Sequence, residues 1–270
     1  MFPVYKLERL PPGQRRRKLV LLLTNVERTL AGKNDVPGND ESTVRSLVRL
    51  ASEDPKIDSV SIHTLGLLLS AQPGTLDVLR VCNVARNALL AANGSFPAEW
   101  DLVLPADNAI KQDQVRIFYP GISVFAEDIR SPFNLGSIFR TAEAFGAEKV
   151  LISPLCVPPE HSRAQRSAMG CIDFLPWERL ALEAIPAETP VFALETGGTP
   201  IGEFQFPSKG VVIIGSEELG ISPEGLARAT YGRVSIPMTG IKASLNVGVA
   251  FGILMQAWIS YLFCSDANPF

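Results

Sequence analysis

The sequence predicts an α/β protein, with a parallel sheet flanked by helices in its C-terminal half and a smaller, mostly helical region before it. Three observations carry this. From about Val115, short apolar runs alternate with helical stretches, the pattern of a parallel sheet covered on both faces. Before that point, apolar residues recur at helical spacing without such alternation. In the C-terminal half, three polar, glycine-bearing segments each follow an apolar run, where a parallel sheet builds its ligand sites.

In chain order, Lys18 to Leu30 carries a dense apolar face, and Lys33 to Ser42 reads as a polar loop with Pro and Gly. Thr43 to Ser52 and Lys56 to Ser70 are further helices. Pro73-Gly74 breaks the chain. A helix bearing Val78, Cys82, Ala85 and Leu89 follows, stopped by Asn93-Gly94-Ser95. The boundary is expected near Tyr119-Pro120-Gly121, giving domains 1–118 and 119–270. Beyond it, Ile122 to Ala126, Lys149 to Ile152, Val191 to Leu194, Val211 to Ile214 and Arg233 to Ile236 are the strands. Asn134 to Phe145 is a helix with Asn134 as N-cap and Gly146 at its C′ stop. Helical stretches are also expected near Arg163 to Ala168, Glu178 to Ala184 and Pro223 to Ala229.

The chain has 270 residues, 46% of them apolar, enough to bury a sizeable core. Its net charge of −3 is not the global signature of a nucleic-acid binder, so RNA contact has to rest on a local patch. One such patch is Lys6, Arg9, Arg15, Arg16, Arg17 and Lys18. By itself it reads as a solvated terminus; if the protein binds RNA, phosphate contact becomes the better reading. Cys82, Cys156, Cys171 and Cys264 lack Cys-x-x-Cys spacing and His63 and His161 are isolated, so neither a metal site nor a disulfide framework is expected. The absence of a signal-peptide pattern points to a reducing cytoplasm. Val247 to Phe263 is almost wholly apolar but shorter than the roughly 20 residues that span a bilayer. It contains Gln256 and suits a core or subunit-interface helix.

The first polar segment is Asn134-Leu-Gly-Ser-Ile-Phe-Arg140. As residue types, Asn134 suits helix capping and Arg140 a surface ion pair with Glu143 or Glu127. The second, Gly215-Ser-Glu217-Glu-Leu-Gly220, ends a strand in a glycine turn. It has neither the Lys-Ser/Thr ending of a P-loop nor G-x-G-x-x-G spacing, which excludes a nicotinamide oxidoreductase of the usual kind. The third runs from Ile236-Pro237-Met238 to Ser244-Leu245-Asn246, where Ser244 suits capping and the pair of polar residues suits a ligand at a helix start.

Together these segments resemble the motifs of the SpoU, or TrmH-like, branch of the SPOUT RNA methyltransferases. The first motif is Asn134-x-Gly136-x-x-x-Arg140-Thr141-Ala142, the second Gly215, Glu217 and Gly220, and the third Ile236 to Met238 with Ser244 to Val247. Arg163 to Gly170 also resembles the family's Arg-x-Ser-x-Gly stretch, through Arg166, Ser167 and Gly170. The resemblance covers about Ser123 to Phe263. It implies a SPOUT-type parallel sheet with a C-terminal trefoil knot, S-adenosylmethionine as methyl donor, pairing of two subunits, and methyl transfer to a ribose 2′-hydroxyl of tRNA or rRNA. Asn134, Arg140, Glu217, Ser244 and Asn246 would be catalytic. Leu194, Glu195, Thr196, Gly215, Glu217, Gly220, Ile236, Met238, Ser244 and Leu245 would hold the cofactor. Arg15, Arg16, Arg17, Lys18, Arg140 and Arg166 would face RNA. Arg140 would bind phosphate and stabilise alkoxide character, or act as a perturbed base. The rival expectation is an inactive RNA-binding or ribosome-assembly protein on the same fold. Two departures stand out. Residues 1–118 lack the small α/β RNA-binding domain common in relatives, and Glu218 stands where small or varied residues are usual.

Overall fold

A computed structural model describes residues 4–31, 41–72, 74–96, 116–241 and 244–264. The chain divides into two compact units, Met1–Lys111 and Gln112–Phe270.

Among the described residues the regular elements of the first unit are helices: α1 (Val4–Glu8), α2 (Pro12–Ala31), α3 (Glu41–Ser52), α4 (Ser59–Leu69) and α5 (Val78–Ala91). The expected loop Lys33 to Ser42 lies largely outside the described residues, and its last two residues, Glu41 and Ser42, already belong to α3. Asp58 and Asp77 cap α4 and α5, accepting from the N–H groups of Ser61 and Arg80 at 2.8 and 2.9 Å. At the C-terminal end of α4, Arg45 satisfies the carbonyls of Leu69 and Ala71. Gly94, at φ 70°, turns the chain out of α5. Leu19, Leu23 and Val26 of α2 meet Val44, Leu47 and Val48 of α3 and Val81, Cys82, Ala85 and Leu89 of α5 in one core. Two ion pairs are sealed into this unit, Arg16–Asp54 at 2.6 Å and Arg86–Glu27 at 2.7 Å.

The second unit is a six-stranded, all-parallel sheet. Its elements are β1 (Tyr119–Ala126), α6 (Pro132–Ala144), β2 (Ala147–Ile152), α7 (Ser162–Ala168), β3 (Trp177–Arg179), β4 (Val191–Pro200), β5 (Gly210–Ile214), α8 (Pro223–Arg228), β6 (Gly232–Ser235) and α9 (Val247–Cys264). The strand order is β3-β2-β1-β5-β4-β6. Alternate residues serve opposite faces. Val124, Val212 and Phe192 join α6 and α9 in one core, while Phe125, Ile213 and Ala193 form the other with Ile221 and Leu226. Burial on both faces is why Val211-Val-Ile-Ile214 is an unbroken apolar run. It is also why α9 is so apolar. By length and composition α9 could cross a membrane, yet its Phe251, Leu254, Met255, Trp258 and Leu262 pack into the core beneath the sheet.

Three sequence expectations are corrected here. Glu178 to Ala184 is not helical. Trp177–Arg179 pairs with β2 as the edge strand β3, and only Leu182–Ala184 makes a 3₁₀ turn. Asn134 does not cap α6. Ser131 does, its hydroxyl accepting from the Asn134 N–H at 3.3 Å, with Pro132 as the first helical residue. At the start of α9 the cap is Asn246 rather than Ser244, with Asn246 Oδ1 accepting from the N–H groups of Gly248 and Val249.

Candidate active site

The site grows from the carboxyl ends of β4, β5 and β6, where open parallel sheets hold ligands. Beyond Ile214 the chain makes a tight turn in which Ser216 and Gly220 exchange backbone hydrogen bonds at 3.1 and 3.0 Å. Gly215 is required by closeness: a Cβ there would overlap the backbone of Gly220 and Ile221. In β4 the register jumps, so that Leu194 and Thr199 both face Val234 of β6, and Glu195 to Gly198 leave the ladder. These features enclose a cleft of about 760 Å³. All ten residues nominated for the cofactor line it: Leu194, Glu195, Thr196, Gly215, Glu217, Gly220, Ile236, Met238, Ser244 and Leu245. Glu218, Arg233, Asn246 and Val247 line it as well. Among the described residues, three carboxylates and one guanidinium therefore border the cleft.

A chain of side-chain hydrogen bonds joins the three motif segments. Glu217 accepts from the N–H groups of Arg130 and Ser131 at 3.0 and 3.1 Å and from Asn134 Nδ2 at 2.7 Å. Asn134 Oδ1 accepts from Asn246 Nδ2 at 2.9 Å. Asn246 Oδ1 then caps α9. An ionised carboxylate only accepts, so Glu217 dictates that Asn134 presents its NH₂ to it and its carbonyl to Asn246. That in turn leaves the Asn246 carbonyl available for the helix end. Desolvation raises the Glu217 pKa, but the Arg130 N–H, the Asn134 amide and the Ser131 N–H outweigh it, holding the carboxyl below its usual value. Asn134 is buried within α6, one turn from the loop that Glu217 grips.

The remaining nominated residues scatter. Arg140 is half-buried near the far end of α6. Of its two envisaged partners, Glu127 is taken by Ser222, accepting from its N–H at 2.8 Å and its hydroxyl at 2.7 Å. Arg166 is exposed on α7, which packs against α6 so closely that a Cβ on Gly136 would overlap Ser167 Oγ and the Ala164 carbonyl. In the helical unit Arg17 is exposed and Arg15 and Lys18 are half-buried. Arg16 is corrected: it is 4% exposed, and its guanidinium is committed to Asp54 and Asn93, so it presents nothing to RNA.

Several contributors escaped sequence reasoning. Ser131 followed by Pro132 carries a cap signature that could have been noticed. Asp128 and Ser153 carry none. Asp128 adopts φ 53°, its N–H donating to Ser153 Oγ at 2.8 Å and its carboxylate accepting from that hydroxyl at 2.6 Å, which pins the loop before α6 to the end of β2.

The matching solved structures include an AdoMet-bound rRNA methyltransferase from Sinorhizobium meliloti, 29% identical with a TM-score of 0.50, covering 55% of this chain and 59% of that one. Among curated proteins, an uncharacterised tRNA/rRNA methyltransferase of Synechocystis is 30% identical over half of each chain, 50% of this one and 51% of that one. A 23S rRNA (uridine(2479)-2′-O)-methyltransferase of Streptomyces viridochromogenes is 30% identical over 57% of each. The chain thus spans about half the length of these curated relatives. The model of the SpoU rRNA Methylase family matches residues 121–256, half of the chain and all of its three linked segments, and the chain belongs to that family.

Proposed function

We propose that this protein transfers a methyl group from S-adenosylmethionine to a ribose 2′-hydroxyl of tRNA or rRNA. The observation that carries the reading is the single hydrogen-bonded chain Glu217–Asn134–Asn246, which joins the cleft wall to the helix bearing Arg140. The cleft fits the cofactor. Its volume suits a nucleoside-sized ligand. Leu194, Ile236 and Leu245 offer apolar contact for a base, and the excess of carboxylate over guanidinium suits a cationic sulfonium. When bound, S-adenosylmethionine would supply an electrophilic methyl, which leaves the protein the task of orienting and activating the hydroxyl.

Arg140 is the residue for that task. We assign Arg140 to binding the adjoining phosphate and stabilising negative charge developing on the ribose oxygen, while the hydroxyl proton passes to solvent water as the oxygen–methyl bond forms and the sulfur–methyl bond breaks. Asn134 and Glu217 fix the start of α6 so that Arg140 is aimed, and Ser244 and Asn246 order the opposite wall. Leu245 at 41%, Val249 at 53% and Ile253 at 39% exposed leave an apolar strip along the start and outer face of α9, which supports a homodimer. Free, buried Cys82, Cys156 and Cys171 agree with a reducing cytoplasm.

Arg140→Ala tests the assignment. Methyl transfer to cellular RNA is expected to fall at least a hundredfold while calorimetry gives an unchanged affinity for S-adenosylmethionine, by analogy with loss of one charge-stabilising donor, about 10²–10³ in rate. Transfer at the wild-type rate in that variant refutes the role. Absence of cofactor binding by the wild type, with RNA present, favours an inactive RNA-binding protein instead.

A further inference from the structure

We infer that Glu195 is a positioning residue that holds the Ser216–Gly220 turn and, through it, keeps Glu217 on the loop before α6. The consequence for catalysis rests on the methyl transfer proposed above; the mechanical claim does not.

The β4–β5 ladder ends at Ala193 and Ile213. Above it Glu195 ties the two strand exits together. Its Oε1 accepts from the Thr196 N–H at 2.8 Å and the Thr196 hydroxyl at 3.2 Å, and its Oε2 accepts from the Ile221 N–H at 3.3 Å. Ile221 is the residue at which the chain leaves the Ser216–Gly220 turn. The turn is closed on itself, with the Leu219 N–H donating to Ser216 Oγ in addition to the two Ser216–Gly220 backbone bonds. A closed turn moves as a body, so fixing its exit fixes Glu217 within it.

Gly220 shows how close this fit is. It sits at φ 71°, and a Cβ there would come within 2.7 Å of Glu195 Oε2. The carboxylate lies directly against the turn. Chemistry explains the residue type. Two acceptor-only oxygens serve an N–H group of β4 and one at the exit of the turn at once, and charge strengthens both bonds. Glutamine, isosteric, must turn NH₂ toward one of those donors. Glu217 meanwhile makes three hydrogen bonds to Arg130, Ser131 and Asn134, whose geometry tolerates little tilt of the turn.

Amide hydrogen exchange on the full-length protein tests this. In Glu195→Ala and Glu195→Gln, with circular dichroism confirming the fold, protection is expected to drop about tenfold at Ile221 and also at Arg130 and Ser131, the scale of losing one hydrogen bond to a charged group. Loss at Ile221 alone, or at none of the three, overturns the inference, since a local latch would leave the two distant amides unchanged. A kinetic arm adds a second readout. At saturating S-adenosylmethionine, where loss of a carboxylate from the cleft no longer limits cofactor occupancy, the turnover of Glu195→Ala with Glu217→Ala is expected to equal that of Glu217→Ala alone; turnover losses that multiply under that condition overturn action through Glu217. If wild-type protein methylates no RNA, the proposed function fails, while the exchange measurement still decides the latch.

Discussion

Gly136 shows what a single motif residue does here. It reads as part of a catalytic signature, yet its position is set by packing, since α7 crosses α6 with Ser167 Oγ and the Ala164 carbonyl where a Cβ would stand. Backbone cannot yield as a flexible side chain does. Gly136→Ala is therefore expected to cost about 1–3 kcal/mol or more by overpacking. In calorimetry that lowers the melting midpoint by roughly 2–4 °C for each kcal/mol. An unchanged midpoint would refute the account. Asn134 carries the complementary lesson. From sequence it is a good cap, because asparagine before an apolar helix usually is. Its true partners, Glu217 and Asn246, lie 83 and 112 residues away, a separation no local pattern reveals. Motif order named the residues of the site; only the fold shows that three of them hold one another.

At the scale of elements, the alternation of VVII-like runs with helices made the parallel sheet legible because burial on both faces leaves a continuous apolar run. Trp177–Arg179 was hidden because a three-residue edge strand buries too little to mark itself. The excursion of β4 at Glu195 to Gly198 was hidden because leaving the ladder does not change composition. In the helical unit, nothing in the local sequence marks the charges of α2 and α5 as buried. Glu27 and Arg86 instead form a pair with side chains 0% and 3% exposed. Desolvation, only partly offset by Arg86, pushes the Glu27 carboxyl above the ordinary glutamate value of 4.5. The folded state thus keeps a proton that the unfolded chain releases, and stability falls as pH rises from 4.5 through the raised value. Taking two charges this far out of water costs much of what their attraction returns. Glu27→Ala alone, stranding Arg86, is expected to cost about 3–5 kcal/mol, whereas Glu27→Leu with Arg86→Met is expected to be neutral or stabilising. Urea denaturation of the wild type and the two variants decides it; a double replacement as costly as the single one would contradict the argument.

At the scale of the whole molecule, the cores assign work to the two units. Among the described residues, the buried positions of the helical core run from Leu7 to Leu89, and those of both sheet cores lie from Tyr119 onward. The cleft, the hydrogen-bonded chain and the exposed strip on α9 all lie in the second unit. A domain of this size buries enough apolar surface to fold by itself. Residues 112–270 expressed alone are therefore expected to give a cooperative melting transition, to sediment as a dimer, and to bind S-adenosylmethionine within about twofold of the full chain, an energy difference of about 0.4 kcal/mol. RNA affinity is expected to behave differently. After Arg16 is withdrawn to Asp54, Arg17 is exposed and Arg15 and Lys18 are half-buried beside it. If they supply the electrostatic attraction, the fragment binds RNA more weakly and its binding responds less steeply to salt. The log–log slope then shrinks by about 0.9 for each duplex phosphate that the fragment no longer neutralises. A fragment with the full chain's affinity and salt slope would move RNA recognition wholly into the sheet unit, onto Arg130, Arg140, Arg163 and Arg166.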